Sequence, residues 1–279
     1  MGFFNKNYDK PGKGVSKNAP RKRGFFLFWE LLGRKFGKII QVNLLFILFS
    51  IPIVTIGPAT AAATYVLRNF AREEHAFVWW DFIDAFKKNF KQSFIAGIID
   101  LIFTFFFVYD GLFYWSLRGT TLSTGKYFLL AFSITALIVY LFIHYYVYTI
   151  MVTFDLKLRY VYKDAAIFAI VGLKNNVSAL ISHLVTLVVY IGSIFAAAQF
   201  ATQGVFFVIF ILWFVIFALI LPAFMRFISV FSTYPVIQKY MMSTEEEAVD
   251  EREEEYSSED IDLLMEDDDD DEIIFHDEV

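Results

Sequence analysis

IPIVTIGPATAAATYVLRNFAR, residues Ile51 to Arg72, decides how this chain is threaded. Pro52 and then Gly57-Pro58 interrupt an apolar run, because proline lacks a backbone donor and cannot sit inside a regular helix. After the interruption comes an Ala-rich, helix-prone stretch that ends on Arg68 and Arg72. The chain either passes Gly57-Pro58 and leaves the apolar environment, or turns there and comes back.

Working outward, five apolar stretches are long enough to be read as membrane spans. They are residues 39–57, 94–117, 127–152, 177–198 and 205–224, the last kinked at Pro222 and extensible to Tyr234. A spanning helix needs ~20 predominantly apolar residues at 1.5 Å each. Composition agrees: 57% of the 279 residues are hydrophobic, 19% are charged, and 35 are Phe. Soluble domains run at about 45–50% apolar and about 25% charged. The fold class expected is all-α, a polytopic helical bundle.

The ends differ from the middle. Residues 1–24 are polar and basic and read as a disordered start rather than a cleaved leader, since the apolar run that follows exceeds a ~7–15-residue leader core. Residues 243–279 hold 20 Asp/Glu against one Arg and read as a disordered acidic tail. The net charge of −6 therefore averages a basic body, 25–242 with its N-terminal extension, and an acidic tail. No EF-hand spacing accompanies the Asp run.

Positive charge gathers on the cytoplasmic side of span ends. Of the 24 Lys and Arg, ten lie in 1–38, five in 58–93, two in 118–126, four in 153–176 and three after 225. Five plain spans would put 58–93 and 153–176 outside, with nine cations between them. A turn at Gly57 and Pro58, followed by a short return helix over 59–70, removes the conflict. Those twelve residues are too few to cross ~30 Å upright, but a shielded partial helix is feasible in a bundle. Both termini then face the cytoplasm. Residues 25–38, 74–92 and 155–176 mix aromatics with Lys and Arg at helical spacing, so the first leads into the bundle and the other two are read as interfacial amphipathic helices. Trp79-Trp80 suits headgroup depth. A weak internal repeat at an offset of 87 sets Phe86–Phe90 against Leu173–Val177 and Arg72 against Arg159.

The segment Ile51–Ala62 followed by Tyr65, Arg68 and Arg72, the segment Phe82–Gln92, and Leu173–Asn176 together resemble the YesL family, which carries the DUF624 domain. The resemblance covers about residues 25–240. It implies a bacterial cell-membrane protein, often encoded near carbohydrate ABC transporters, glycoside hydrolases and sensor proteins, and it implies no established activity or catalytic residues. The acidic tail departs from the compact family pattern. The functions expected on this resemblance are an accessory or permease-like component of carbohydrate uptake or, in the alternative, a scaffold or signalling partner of a sensor kinase.

Three ionisable residues fall at membrane depth. Asp100, His144 and His183, on three different spans, each lie roughly 10 Å inside the inner boundary. Intramembrane ionisable groups are functional candidates by default, here a proton relay or a substrate-hydroxyl site. The plainer reading is that local hydrogen bonds satisfy each. The broken segment around Gly57 and Pro58 reads either as unwound backbone for a ligand or as a simple turn. Tyr140, Tyr145, Tyr146 and Tyr148 offer either a sugar-stacking platform or packing. Arg68, Arg72, Lys87, Lys88, Lys91, Arg159 and Lys174 form a cytoplasmic basic set for ABC transporter subunits, a sensor kinase or anionic lipid headgroups. With no cysteine, no His-x-x-x-His, no Walker motif and no convergent nucleophile and base, the chain is expected to be no enzyme, to hold no metal or cofactor, and to bind no nucleic acid.

Overall fold

The computed structural model describes residues 24–119, 123–200 and 203–242, and the expected disorder of 1–24 and 243–279 lies, but for Gly24, outside them. The described residues are all-α: α1 (Phe25–Phe49), a 3-10 turn (Ile53–Thr55), α2 (Ile56–Ala71), α3 (Val78–Lys88), α4 (Phe90–Ser116), α5 (Thr124–Met151), α6 (Leu158–Val171), α7 (Leu173–Phe200) and α8 (Gln203–Ile237), closed by a π turn (Gln238–Met242).

Among the described residues, four stretches are long and apolar enough to cross a membrane: Phe90–Ser116, Thr124–Met151, Leu173–Ala196 and Phe217–Met242. Their outer faces expose Phe105, Phe106, Phe128, Phe132, Val188 and Val189 without cover. Such a continuous apolar exterior is stable in lipid and not in water. The chain is a multi-pass membrane protein.

The expected span at 39–57 is corrected. α1 is one helix from Phe25, so the stretch read as an interfacial lead-in and the start of the span are continuous, and it ends at Phe49. Its first half carries Glu30, Arg34, Lys35 and Lys38, leaving eleven apolar-side residues that rise only about 16 Å. The break expected at Gly57 and Pro58 falls earlier, over Ser50–Thr55. There the Thr55 hydroxyl donates to Phe49 O at 2.6 Å and Pro52 O at 2.7 Å, so the turn answers its own carbonyls. Gly57 and Pro58 sit in the first turn of α2, where a missing N–H costs nothing. Gly57 serves a close approach instead: a Cβ on it would stand 2.0 Å from Ser93 O and 2.8 Å from Gly97 Cα, so α2 and α4 touch backbone to backbone.

α2 runs back alongside α1. Arg34 of α1 bonds Glu73, just past α2, at 2.8 Å, and Lys35 stands over the Phe70 ring at 5.4 Å. The two helices are antiparallel, and the chain at residue 73 is back at the level of residue 34. With thirteen of its sixteen residues buried, α2 is the central post of the bundle, rising about 24 Å. Its small side chains let α1, α3, α4 and α8 close around it.

α8 contains the expected fifth span at 205–224 and continues through Pro222 to Ile237, so the helix takes up the extension to Tyr234. Pro222 deprives Ala218 O of its helical donor. The buried side chain of Asn43 repairs the gap, donating from Nδ2 to Ala218 O at 2.8 Å and accepting the Ala223 N–H at 2.8 Å. The helix continues because a residue on α1 completes its ladder.

Two passages share one plan. α2, six residues, α3, Asn89 and α4 are matched by α5, six residues, α6, Gly172 and α7. Aligned on the link residues, 83 apart, Gln92 meets Asn175, Ser93 meets Asn176, Ala96 meets Ala179 and Asp100 meets His183. The offset of 87 read from the basic segments is corrected, because Phe86–Phe90 straddles its link whereas Leu173–Val177 follows its own. α3 and α6 are shorter than the interfacial helices expected over 74–92 and 155–176, since α4 and α7 already begin at Phe90 and Leu173.

Contacts tie the helix ends into two faces. Gln92 Nε2 donates to Leu156 O at 2.9 Å, Asn175 Nδ2 to Ser232 O at 2.7 Å, and Arg72 lies over Tyr234 at 5.8 Å. These join the start of α4 and α7 to the ends of α5 and α8. At the far face Tyr114 OH donates to Lys126 O at 3.2 Å, which joins α4 to α5.

Candidate functional site

Two polar arms meet between the long helices. The first starts on α4. Asp100 accepts from Tyr140 OH at 2.9 Å and Tyr148 OH at 2.6 Å, both on α5, and its Oδ1 lies 3.2 Å from His144 Nδ1. The periodicity of α5 explains the convergence: residues 140, 144 and 148 recur every four positions and so share one helix face. On the other side of the imidazole, Arg226 Nη2 stands 3.1 Å from His144 Nε2, and the guanidinium lies over the Tyr148 ring at 5.1 Å.

Donor chemistry fixes the proton on His144. A guanidinium only donates, so Nε2 is the acceptor nitrogen, and Nδ1–H donates to the carboxylate. A neutral imidazole thus links a full negative charge to a full positive one. This is how two charges become tolerable at membrane depth: each is paired and bonded through a shared partner.

The second arm centres on His183 of α7. Nε2 lies 2.9 Å from Met225 O, which only accepts, so Nε2 carries the proton. Nδ1 therefore accepts from Tyr145 OH at 3.2 Å, and the two rings stack at 5.3 Å between centroids. Met225 and Arg226 are neighbours on α8, so that helix joins the arms.

The structure thus brings Asp100 and His144 into direct contact and keeps His183 on a separate arm. Both histidines border one chamber of about 330 Å³, walled also by Thr60 and Ala63 of α2, Phe46 of α1, leucines of α5 and α7, and Pro222, Arg226 and Ser229 of α8. Among the described residues no three His, Cys, Asp or Glu side chains gather as metal ligands.

Arg226 is the functional residue that the sequence reading missed. Ending the fifth span at Phe224, with only a possible extension to Tyr234, left Arg226 without a role. The continuous apolar run to Tyr234 was the signal that would have placed it at depth. Asn43, a polar residue inside the stretch expected as the first span, is a second such residue, as the partner that completes the helix at Pro222.

The basic set is divided. Arg68 is corrected: it is buried, and its guanidinium donates to Val152 O at 2.7 Å, Thr153 Oγ1 at 3.2 Å and Asn69 Oδ1 at 2.9 Å. It caps the carbonyl end of α5 and offers nothing to a partner. Arg72 is exposed but paired with Glu74 at 2.7 Å. Lys87, Lys88 and Lys91 line an open polar groove of about 640 Å³ with Asp84 and Asp155, and Arg159 and Lys174 are exposed outside it.

A family model described as "Protein of unknown function, DUF624" matches residues 39–111, from the second half of α1 into the last turns of α4. A DUF624 domain is therefore present, over a narrower stretch than the resemblance read from 25 to 240. It takes in Asn43, α2 and Asp100 but not His144, His183 or Arg226. No curated protein and no solved structure matches the chain.

Proposed function

We propose that this protein is a permease-like or accessory component of a bacterial cell membrane, linked to carbohydrate uptake, that holds a small solute between α1, α2, α5, α7 and α8. The observation that carries the reading is the chamber of about 330 Å³ with a charge-paired polar network in its wall. Concave, mostly apolar sites with a few convergent polar groups are the usual form of small-molecule sites. The link to carbohydrate comes from the resemblance. In this reading the chain has no catalytic centre of its own and serves transport by binding. Comparing uptake of labelled sugars in a deletion strain and in the complemented strain tests it, with a mild-detergent pull-down. Loss of uptake of one sugar class, or recovery of ABC transporter subunits, is expected. Unchanged uptake across the panel together with recovery of no transporter subunit overturns it.

Orientation belongs to the same proposal. Among the described residues, Arg118 and Lys126 sit at the α4–α5 face, and the other cations except Arg226 lie toward the opposite face. That face is cytoplasmic by the positive-inside rule, and both termini with it. A reporter inserted after Gln92 should read cytoplasmic; an external signal removes the assignment.

The groove of Lys87, Lys88 and Lys91 favours a second reading, a scaffold or signalling partner of a sensor kinase docked on the basic face. Altered transcription with unchanged uptake, and a kinase in the pull-down, would separate it from the first. Anionic headgroups occupy the same cations in the unbound protein, at ~1 kcal/mol per basic residue.

A further inference from the structure

The polar groups of the chamber wall are already spent on one another, with one exception. Thr60 Oγ1 donates to Ile56 O at 2.7 Å, Tyr145 OH donates to His183, and His183 and Ser229 both donate to Met225 O. Arg226 differs. Its Nη2 serves His144, while its Nη1 is buried and has no hydrogen-bond partner among the described residues. A buried N–H of a cation without an acceptor is costly unless something supplies one.

Charge is distributed unevenly around the same residue. The chamber wall contains Arg226 and two histidines made neutral by their bonding partners, and among the described residues it contains no Asp or Glu. Asp100, the counter-charge, is held behind His144 by three donors and does not border the chamber. A ligand in the chamber therefore meets the positive charge of Arg226 and apolar walls formed by Leu141, Leu180, Leu184 and Leu187.

We propose that the chamber binds a small organic monoanion, whose carboxylate accepts from Arg226 and whose apolar body lies against the leucines. The proposal rests on reading the chamber as a ligand site. One fixed cation matches one negative charge, and a dianionic phosphate would want further donors that the wall has already committed. A neutral sugar is poorly served for the same reason, because each buried hydroxyl needs a partner. This favours an accessory role responding to an acid over carriage of a neutral sugar. The carboxylate comes either from a soluble acid or from a membrane fatty acid, since the chamber is only partly enclosed.

The test uses the full chain in nanodiscs of dioleoylphosphatidylcholine, with binding read by calorimetry. Benzoate and palmitate are the acid probes, and benzamide and palmitamide their uncharged counterparts. At least one acid should bind saturably, and its amide about tenfold or more weaker, a difference of ~1.4 kcal/mol. Benzoate binding identifies a soluble acid and palmitate alone a membrane fatty acid; both outcomes support the proposal. Arg226→Gln should weaken the acid about tenfold, with Arg226→Lys between the two. The acid–amide comparison on the unaltered protein stands even if Arg226→Gln fails to fold. Equal binding of acid and amide overturns the proposal, as does an Arg226→Gln variant of unchanged melting temperature and unchanged affinity. If glucose binds and neither acid does, the chamber is a ligand site and the anion assignment falls alone. If nothing binds, both fall. If an acid binds while uptake in the deletion strain is normal and no transporter subunit is recovered, only the transport reading falls.

Discussion

The passage α2–α3–α4 and the passage α5–α6–α7 follow one plan and were filled with different chemistry. Each begins with a descending helix, takes a six-residue loop and a short helix, breaks at one link residue, and rises as a long helix. Three residues beyond the link, Gln92 and Asn175 each donate a side-chain amide hydrogen to a carbonyl of the segment that follows in the bundle, Leu156 O after α5 and Ser232 O on α8. Eleven beyond it, one passage has Asp100 and the other His183. The first passage opens with a buried helix of 16 residues, the second with one of 28 whose upper half faces outward. The frame is thus set by small and amide side chains at fixed distances from the link. The chemistry is set by what stands one turn further into the membrane.

The largest effect should come from the position where the first passage touches α2 backbone to backbone and the second does not. Gly97→Leu in the first passage drives a side chain into the backbone of α2, where even a Cβ would lie 2.7 Å from Gly57 Cα. Failure to accumulate folded protein is expected, beyond the ~1–3 kcal/mol of ordinary overpacking. Leu180→Ala at the matching place in the second passage should fold, with a lowered melting temperature in detergent. If the two fare alike, the central role of α2 is wrong.

Asp100→Asn and His183→Gln sharpen the chemical difference. The first strips the counter-charge from Arg226 and leaves a buried cation, and about 3 kcal/mol should be lost. The second removes neutral hydrogen bonds worth ~1 kcal/mol each. Denaturation in mixed micelles reads the order, and a larger loss for His183→Gln would show that the two arms are not electrostatically distinct.

The link residues come next. Gly172→Asn would push a Cβ within 2.1 Å of the Tyr146 hydroxyl, so the ring must move, at about 1–2 kcal/mol. Asn89→Gly in the other passage loses one side-chain bond to Ala85 O and helix propensity, about 1 kcal/mol. The smallest effects test sameness: Gln92→Ala and Asn175→Ala should each cost ~1 kcal/mol and agree with each other, in melting temperature, within the scatter of such bonds. A wide gap between them would break the alignment of the passages.

The sequence carried much of this frame. The Ala run after Gly57-Pro58 and the placement of Lys and Arg pointed to a helix that turns back, because charge asymmetry and a proline break are local and additive signals. Asp100, His144 and His183 stood out because ionisable residues in apolar stretches are rare. What stayed hidden depends on partners far apart in the chain. Pro222 looked like a kink near the end of a span because its repair lies on Asn43, 180 residues from the N–H it accepts. Arg226 lay beyond Phe224, in the extension of that span, and drew no reading of its own. Arg68 looked like a surface cation because nothing near it in sequence reports that Val152 O will cover it.

The repair of Pro222 by Asn43 also has a meaning in time. α1 leaves the ribosome first and α8 last, so during insertion Asn43 spends nearly the whole of synthesis without the carbonyl and N–H it will bond. An uncommitted amide in hydrocarbon marks the chain as unfinished until the final helix arrives. The two bonds of Asn43 therefore close only when the last helix packs against the first, so a chain cut short before Ala218 would keep that amide unpaired.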